Sequence, residues 1–360
     1  MNEINRINQY RFYKLHVCDG SEYDLGEINT LINDVIALHA ARIGKPYISL
    51  VNKGCNSSVQ KLYEEINSSS DFAYIRCMRK TLHLCSKEKL EMLHHSTKSI
   101  RIPRGYQNEN KFLIDDSQKE MIVFLQQNGN SVDTLIRMLM EEFKIGLHQA
   151  RELLKFHWEN GLICLENNST VFYKEERRFS LTEKKYNLNL VENRDEQFFI
   201  NMLVKHYVIS FGPVSMKDIL WWSGLPKNRI LRAIESLDSE IIKLQLSNLN
   251  FVLYIHESQI EIVNNFATDF EWCRFMGYED CVMKGYKETR FFYGDSYDKY
   301  FNRIGEIFPT IVYNGKCVGL WNLDLKNKNI KLCLDSNVEI PCNLIQQEKE
   351  KVYDKIFKGW

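Results

Sequence analysis

The strongest constraint on this chain is a pattern that occurs twice in its middle: three helical stretches, then two short apolar runs around a turn. In the first copy, "SQKEMIVFLQQNG" from Ser117 reads as an amphipathic helix closed at Gly129. "NSVDTLIRMLMEEF" opens with Ser131 as a cap and repeats its apolar residues at helical spacing. "GLHQARELLKFHWENGLI" is a third helix over about 147–160, stopped by Gly161, and "LICLENNSTVFY" predicts two strands around an Asn-Asn-Ser turn. The second copy starts near Asp195 with "DEQFFINMLVKHYVISFG" and "PVSMKDILWWSGL", where Ser215 is the expected N-cap. "PKNRILRAIESLD" then places Pro226 at a helix start, where its missing N–H costs least. "IIKLQLSNLNFVLYI" alternates as a hairpin around Ser247-Asn248. Helix, helix, helix, hairpin is the order of a winged helix-turn-helix module; generic helical pairs with hairpins are the alternative.

Around these copies the pattern is less regular. The first 104 residues are mostly helical, with strand-like alternation in "YIRCMRKTLHLC" and a helix starting at Ser86, so a third module of the same kind fits there. Beyond about Glu257, "PTIVYNGKCVGLWNLDLKNKNIKLCL" reads as short strands joined by Asn-Gly and Lys-Asn-Lys turns, followed by a C-terminal helix. The expected fold class is mainly α with small β elements: tandem winged helix-turn-helix modules plus a C-terminal β-barrel-like domain. The expected boundaries are 1–110 for an N-terminal winged-helix-like domain with the candidate active-site segment, 111–180 and 190–256 for two further winged helices, and 257–360 for the β-rich part.

Composition narrows the function classes only modestly. Apolar residues make up 44% of the 360 and charged residues 26%, enough for a sizeable core. Lys plus Arg equals Asp plus Glu at 47 each, so any nucleic-acid face must be local. The ten cysteines form no CxxC or zinc-type cluster, and no apolar run is long enough to span a membrane. No export signal is read at the N-terminus. The expectation is a reduced, soluble, cytoplasmic monomer that needs no cofactor and no metal. The His94-His95 pair at a helix end is read as solvent-facing rather than as a ligand pair.

Charge does concentrate in one place. Between Arg76 and Arg104 eight Lys and Arg residues face only Glu88 and Glu91. Such a cluster can neutralise phosphates, and Thr81 and His83 in "MRKTLH" can hydrogen-bond phosphate or sugar oxygens. A solvated face is the plainer reading of a charge run. In the last repeat, Lys227, Asn228, Arg229 and Arg232 sit at the start of the third helix, where such modules dock on DNA, although winged helices also bind proteins. No nucleophile elbow, P-loop or HExxH is present. The aromatic and charged stretch "WCRFMGYEDCVMKGYKETRFFYGD" reads as packing.

Four stretches in order, "HAARIGKPYISL", "IRCMRKTLHLCSKEKL", "ISFGPVSMKDILWWSGLPKNRILRAIESL" and "PTIVYNGKCVGLW", resemble the bacterial winged-helix DNA glycosylases that excise alkylated purines and unhook interstrand crosslinks, including the azinomycin-resistance glycosylase. The resemblance runs from about His39 past Trp321. It implies three tandem winged helices plus a β-barrel, and a monofunctional glycosylase acting on damaged double-stranded DNA with water and no metal. An N7- or N3-alkylated purine carries positive charge, so the leaving group needs little protonation. Cleavage passes through an oxocarbenium-like sugar, and the enzyme must hold a water and stabilise that charge.

In the family the water is held by a Gln-x-Gln motif, or Gln-x-Asp in a sister branch, in a segment like "GLQAQ-x-PxxPYxxL". Here "ALHAARIGKPYISL" puts His39 at the first position and Ala41 at the second. His39 is thus the catalytic candidate, since a neutral imidazole both donates and accepts, whereas Ala41 does neither. Arg42 and Lys45 are carried over as DNA-binding and Tyr47 as site-proximal. "MRKTLH" resembles the family's "MRGTxH" with Lys80 in place of a glycine, which carries over Arg79, Thr81 and His83, while Lys80 is a DNA-binding candidate as one of the cluster's cations. Gly315, Gly319 and Trp321 match the barrel's "DGxxxGxW"; Trp321 is site-proximal or core. Two functions follow: a DNA glycosylase with His39 in place of glutamine, or a catalytically impaired DNA-binding protein, a regulator or lesion-shielding factor, on the same scaffold.

Overall fold

One order of elements recurs three times along the chain: helix, short strand, helix, helix, strand, strand. The computed structural model describes residues 2–42, 44–126, 129–268, 270–336 and 338–358. After α1 (Glu3–Lys14) comes the first unit: α2 (Ile28–Asp34), β1 (Leu38–His39), α3 (Lys45–Asn52), α4 (Val59–Ser68), β2 (Phe72–Arg76) and β3 (Leu82–Ser86). Helices α5 (Lys87–Arg101) and α6 (Arg104–Glu109) lead to the second: α7 (Lys111–Leu125), β4 (Asn130–Ser131), α8 (Val132–Phe143), α9 (Leu147–Asn160), β5 (Ile163–Asn167) and β6 (Arg177–Leu181). After α10 (Thr182–Tyr186) the third runs α11 (Glu196–Phe211), β7 (Val214–Ser215), α12 (Met216–Ser223), α13 (Lys227–Ser236), β8 (Ile241–Leu244) and β9 (Leu253–His256), then α14 (Ile260–Asn265). In every unit the short strand pairs with the last strand, and the last with the one before it. The first two small sheets join edge to edge at Tyr74 and Leu165, giving one six-stranded sheet that is continuous across residue 110.

Local chemistry sets these elements. Ser86, Ser131 and Ser215 each accept a backbone N–H in the first turn of the helix that follows. Gly161 ends α9 at φ +89°, and a Cβ there would sit 2.6 Å from Leu190 and 2.8 Å from His94. The first hairpin differs from its expected form, because its second strand is Arg177–Leu181 and not the apolar run around Val171. Asn167 explains the longer loop: its side chain accepts from Ser169 N and Glu176 N and donates to Lys174 O, while Phe172 turns inward. His94 and His95 also depart from expectation. Both are buried, His95 with its ring 4.8 Å from Phe199.

The C-terminal part is a meander and not a closed barrel. Strands β10 (Cys273–Met276), β11 (Thr310–Tyr313), β12 (Lys316–Asp324) and β13 (Asn329–Leu334) pair only with their sequence neighbours, with the short helix α15 (Cys281–Lys284) between β10 and β11. Closure would need β13 to pair with the outer edge of β10. Instead α16 (Cys342–Phe357) lies against that strand, and Glu348 takes the N–H of Phe275 at 3.2 Å. A helix and its carboxylate thus cover the edge. Between β11 and β12, Asn314 and Gly315 both have positive φ (45° and 82°), which suits a two-residue hairpin turn.

Long-range polar contacts tie the C-terminal part to the third unit. Asp218, in the capping box of α12, accepts from the backbone N–H groups of Lys287 (2.6 Å), Glu288 (2.7 Å) and Thr289 (3.3 Å) and from the Thr289 hydroxyl (2.8 Å). Buried Arg11 of α1 donates to Pro213 O (3.1 Å) and Thr289 Oγ1 (3.1 Å) and stacks 4.0 Å from the Tyr286 ring. These contacts bring residues 279–290 beside β1 and the β2–β3 hairpin.

Candidate active site

Strand β1 carries Leu38 into the core and leaves His39 at the edge of a cleft. His39 lies opposite His83 of β3, with their rings 5.4 Å apart and edge to face. His83 Nδ1 is 3.0 Å from Thr81 O and 3.4 Å from Cys77 Sγ. Bonding to a carbonyl requires the proton on Nδ1, so Nε2 is the free acceptor. Burial holds His83 down at about 4, opposed by its bond to Thr81 and aided by Lys284 and Arg79. His39 is pushed further, to about 2, by burial first and then by His83, Lys284 and Arg79. Both imidazoles are therefore neutral at physiological pH, able to accept and donate but not to supply positive charge.

Opposite them stands a carboxylate that sequence reading passed over. Glu279 has φ +57° although it is not glycine, and its side chain is 2% exposed. A buried acid in a left-handed conformation is held there only if its surroundings demand it. Its N–H donates to Ile307 O (3.1 Å) and its Oε1 accepts from Ile307 N (2.8 Å). Oε2 makes an ion pair with Lys284 and lies 3.6 Å from His39 Nε2. That last separation exceeds a hydrogen bond, and His39 Nε2 is buried with no hydrogen-bond partner among the described residues. Desolvation drives Lys284 down to about 7, Arg79 adds to this, and Glu306 opposes it. The Glu279 carboxylate at its ammonium also opposes the shift.

The cleft lined by Ala37, His39, Thr81, Cys281 and Lys284 among others offers about 20 Å³ to the centre of a water-sized molecule, within about 340 Å³ of empty space that includes open solvent. A void of the first size accommodates about one water. The signal for Glu279 and Lys284 was present in "GYEDCVMKGYK", whose charges looked like packing because nothing local links them to residue 39.

The structure brings some of the expected residues to this cleft and leaves others away from it. Arg79 and Thr81 line it together with His39 and His83. Arg79 and Lys80 form the tip of the β2–β3 hairpin with φ of 54° and 60°, so Lys80 occupies a backbone position that favours the glycine of the family pattern. The Arg79 guanidinium lies 4.0 Å from the Trp221 ring, which Lys287 and Arg290 also approach at 5.0 Å each. Thr81 donates its hydroxyl to Met78 O. Exposed Arg42 and half-buried Lys45 lie 4.6 and 5.9 Å from the Tyr278 ring, whose hydroxyl donates to Glu306.

Tyr47 is fully buried, sharing a hydrogen bond with Tyr74 and accepting one from Asn67. Trp321 is buried in β12 with its N–H on Met276 O at 2.7 Å, outside the lining of the His39 cleft. At the start of α13, Lys227, Asn228 and Arg232 are exposed, while Arg229 is paired with Glu196 at 3.2 Å. Gly224, three residues before Lys227, packs directly on the Arg79 backbone, where a Cβ would be 3.0 Å from Arg79 N. Among the described residues no group of His, Cys, Asp and Glu is arranged to hold a metal ion, and no helix is long and apolar enough to cross a membrane.

Two comparisons with known proteins bear on this arrangement. The family model described as DNA glycosylase AlkZ-like matches residues 32–338. Among solved structures, the Streptomyces sahachiroi DNA glycosylase AlkZ is similar in fold, with a TM-score of 0.80 at 14% identity over 98% of this chain and 95% of that one. No curated protein sequence matches the chain.

Proposed function

The chain belongs to the AlkZ-like DNA glycosylase family, and from that premise we propose that it hydrolyses the N-glycosidic bond of alkylated purines or crosslinked nucleotides in duplex DNA, with His39 and Glu279 holding the attacking water. The observation that carries this reading is the pair itself. An imidazole nitrogen without a hydrogen-bond partner among the described residues lies 3.6 Å from a buried carboxylate, and its ring lines a cleft with room for about one water. A water there donates to His39 Nε2 or to Glu279 and keeps a lone pair free for the anomeric carbon. The carboxylate supplies the negative charge that an oxocarbenium-like sugar needs. Glu279 thus takes over the role that Ala41, exposed and without a polar group, leaves empty.

The three repeated units are read as winged helices, because each places a short strand after its first helix and a hairpin after its third. On this reading the α13 N-terminus and the Arg79–Lys80 hairpin tip contact DNA phosphates, and the protein works as a cytoplasmic monomer without cofactor. The alternative, a DNA-binding protein without catalysis, is favoured by Ala41 alone.

The test is release of N7-methylguanine from a duplex by the wild type, His39→Ala and Glu279→Gln. Each substitution is expected to lower release by at least ~100-fold, the scale of a lost general-base contribution, with duplex binding retained. Release unchanged in both variants would sink the water-holding assignment. No release by the wild type, with binding intact, would establish the binding-only alternative.

A further inference from the structure

The water-holding reading uses His39 and Glu279 but leaves unexplained why a lysine is built into the same floor. Lys284 ends α15, whose position is fixed from below. Asp280 caps that helix through Val282 N (2.9 Å), and its other oxygen accepts from Ser49 (2.6 Å) and lies 3.5 Å from the fully buried Lys53 ammonium. The Lys284 N–H also bonds Asp280 O (2.9 Å). Its side chain is 9% exposed and ends on Glu279, the same carboxylate that faces His39. Among the described residues lining the cleft it is the one primary amine. An exposed surface lysine would be solvated and mobile. This one is desolvated, pushed down toward about 7 by burial with Arg79 adding to the shift, and held against a carboxylate able to take its proton.

We propose that Lys284 is a nucleophile toward the sugar of an abasic site, giving the protein a second activity: cleavage of the DNA strand 3′ to that site through an imine. The proposal rests on the reading of this cleft as the place where the deoxyribose is held. The steps balance without a further reagent. The Lys284 proton passes to Glu279, and the freed Nζ lone pair attacks C1′ of the open-chain aldehyde. The carbinolamine hydroxyl takes a proton from Glu279 and leaves as water, forming a protonated imine. Glu279, again a carboxylate, removes a C2′ proton. Those electrons form the C2′–C3′ double bond, and the C3′–O bond breaks with the phosphate as leaving group, which takes up the proton from Glu279. Water then hydrolyses the imine, returning the amine and leaving an unsaturated aldehyde on the 3′ end.

The experiment uses the full-length protein and a duplex with one preformed abasic site, so that it does not depend on base excision. Sodium borohydride is added to reduce any imine to a stable secondary amine, and the adduct is mapped by peptide mass spectrometry. The expected result is a covalent protein–DNA adduct on Lys284, with strand cleavage when borohydride is omitted. Both are lost in Lys284→Arg, which keeps a cation against Glu279 but cannot form the imine. Absence of any adduct in the wild type, an adduct mapped to another amine, or an adduct undiminished in Lys284→Arg would overturn the proposal. Release of N7-methylguanine is scored separately: release without trapping refutes this inference and leaves the glycosylase reading standing, and trapping without release does the reverse.

Discussion

Lys80 stands with φ +60° at the tip of the hairpin that carries Arg79, Thr81 and His83. A left-handed residue with a Cβ costs roughly 1–2 kcal/mol, which glycine does not pay. Lys80→Gly is therefore expected to raise stability by ~0.5–1 kcal/mol net of the greater freedom of the unfolded chain, read as a higher urea midpoint. A lower midpoint would show that the Lys80 side chain contributes more than its backbone strain costs. The same conformation at Glu279 has a different meaning, because that residue is buried and its backbone and side chain both bond Ile307. Strain at an exposed tip is a local tolerance; strain at a buried acid is maintained by its neighbours.

Helix α12 shows how one element positions the cleft. Its capping-box residue Asp218 takes three backbone N–H groups from the 287–289 turn, and its C-terminal Gly224 lets the Arg79 backbone approach. The helix thereby fixes both walls that meet His39. Replacing Asp218 by Ala leaves the buried Thr289 donors and the part-buried N–H groups of Lys287 and Glu288 unpaired, at about 1–3 kcal/mol for each buried group left without a partner. Asp218→Ala is expected to lose about 3 kcal/mol or more, measured by denaturant unfolding. A loss below ~1 kcal/mol would mean that the 287–289 turn finds other partners. On the opposite side α16, through Glu348, covers the β10 edge that a closed barrel would have paired.

Across the whole molecule, burial holds six of the nine histidines neutral: His39 at about 2, His83, His95, His157 and His206 at about 4, and His94 well below its usual value. In the unfolded chain each takes a proton near pH 6.5, so below that pH the unfolded state binds more protons than the folded one. Their contribution is complete above pH 6.5 and declines as pH falls toward 4, by up to ~1.4 kcal/mol per pH unit for each fully buried group. His16 runs the other way: against the pull of burial, Asp19 and Asp34 raise it to about 9, so its contribution is present below 6.5 and is lost as pH rises to 9. The thermal midpoint is expected to fall steeply between pH 6.5 and 4 and only gently between 7 and 9. A flat midpoint down to pH 4 would show that these histidines are not buried in solution.

Much of the fold was legible from residue order alone. Ser131, Ser215 and Gly161 mark helix ends through contacts within a few residues, and apolar spacing marks the faces between them, so the repeated units could be read without partners. His39 was legible through its place in a short motif, and Arg79 through its cluster of cations. The open C-terminal sheet was not legible, because strand alternation reports which residues pair inward but not whether the first strand meets the last. The inward turn of His94 and His95 was equally hidden, since it depends on residues distant in sequence, Gly161 beside His94 and Phe199 of α11 beside His95. The site itself was decided in three dimensions. Glu279 and Lys284 reach His39 because contacts far apart in the chain, Asp280 with Ser49, Glu279 with Ile307 and Asp218 with residues 287–289, fold residues 279–290 back onto β1. Local interactions write their pattern into neighbouring residues; a contact between residues 39 and 279 is enforced by packing across the whole chain and leaves no periodic trace.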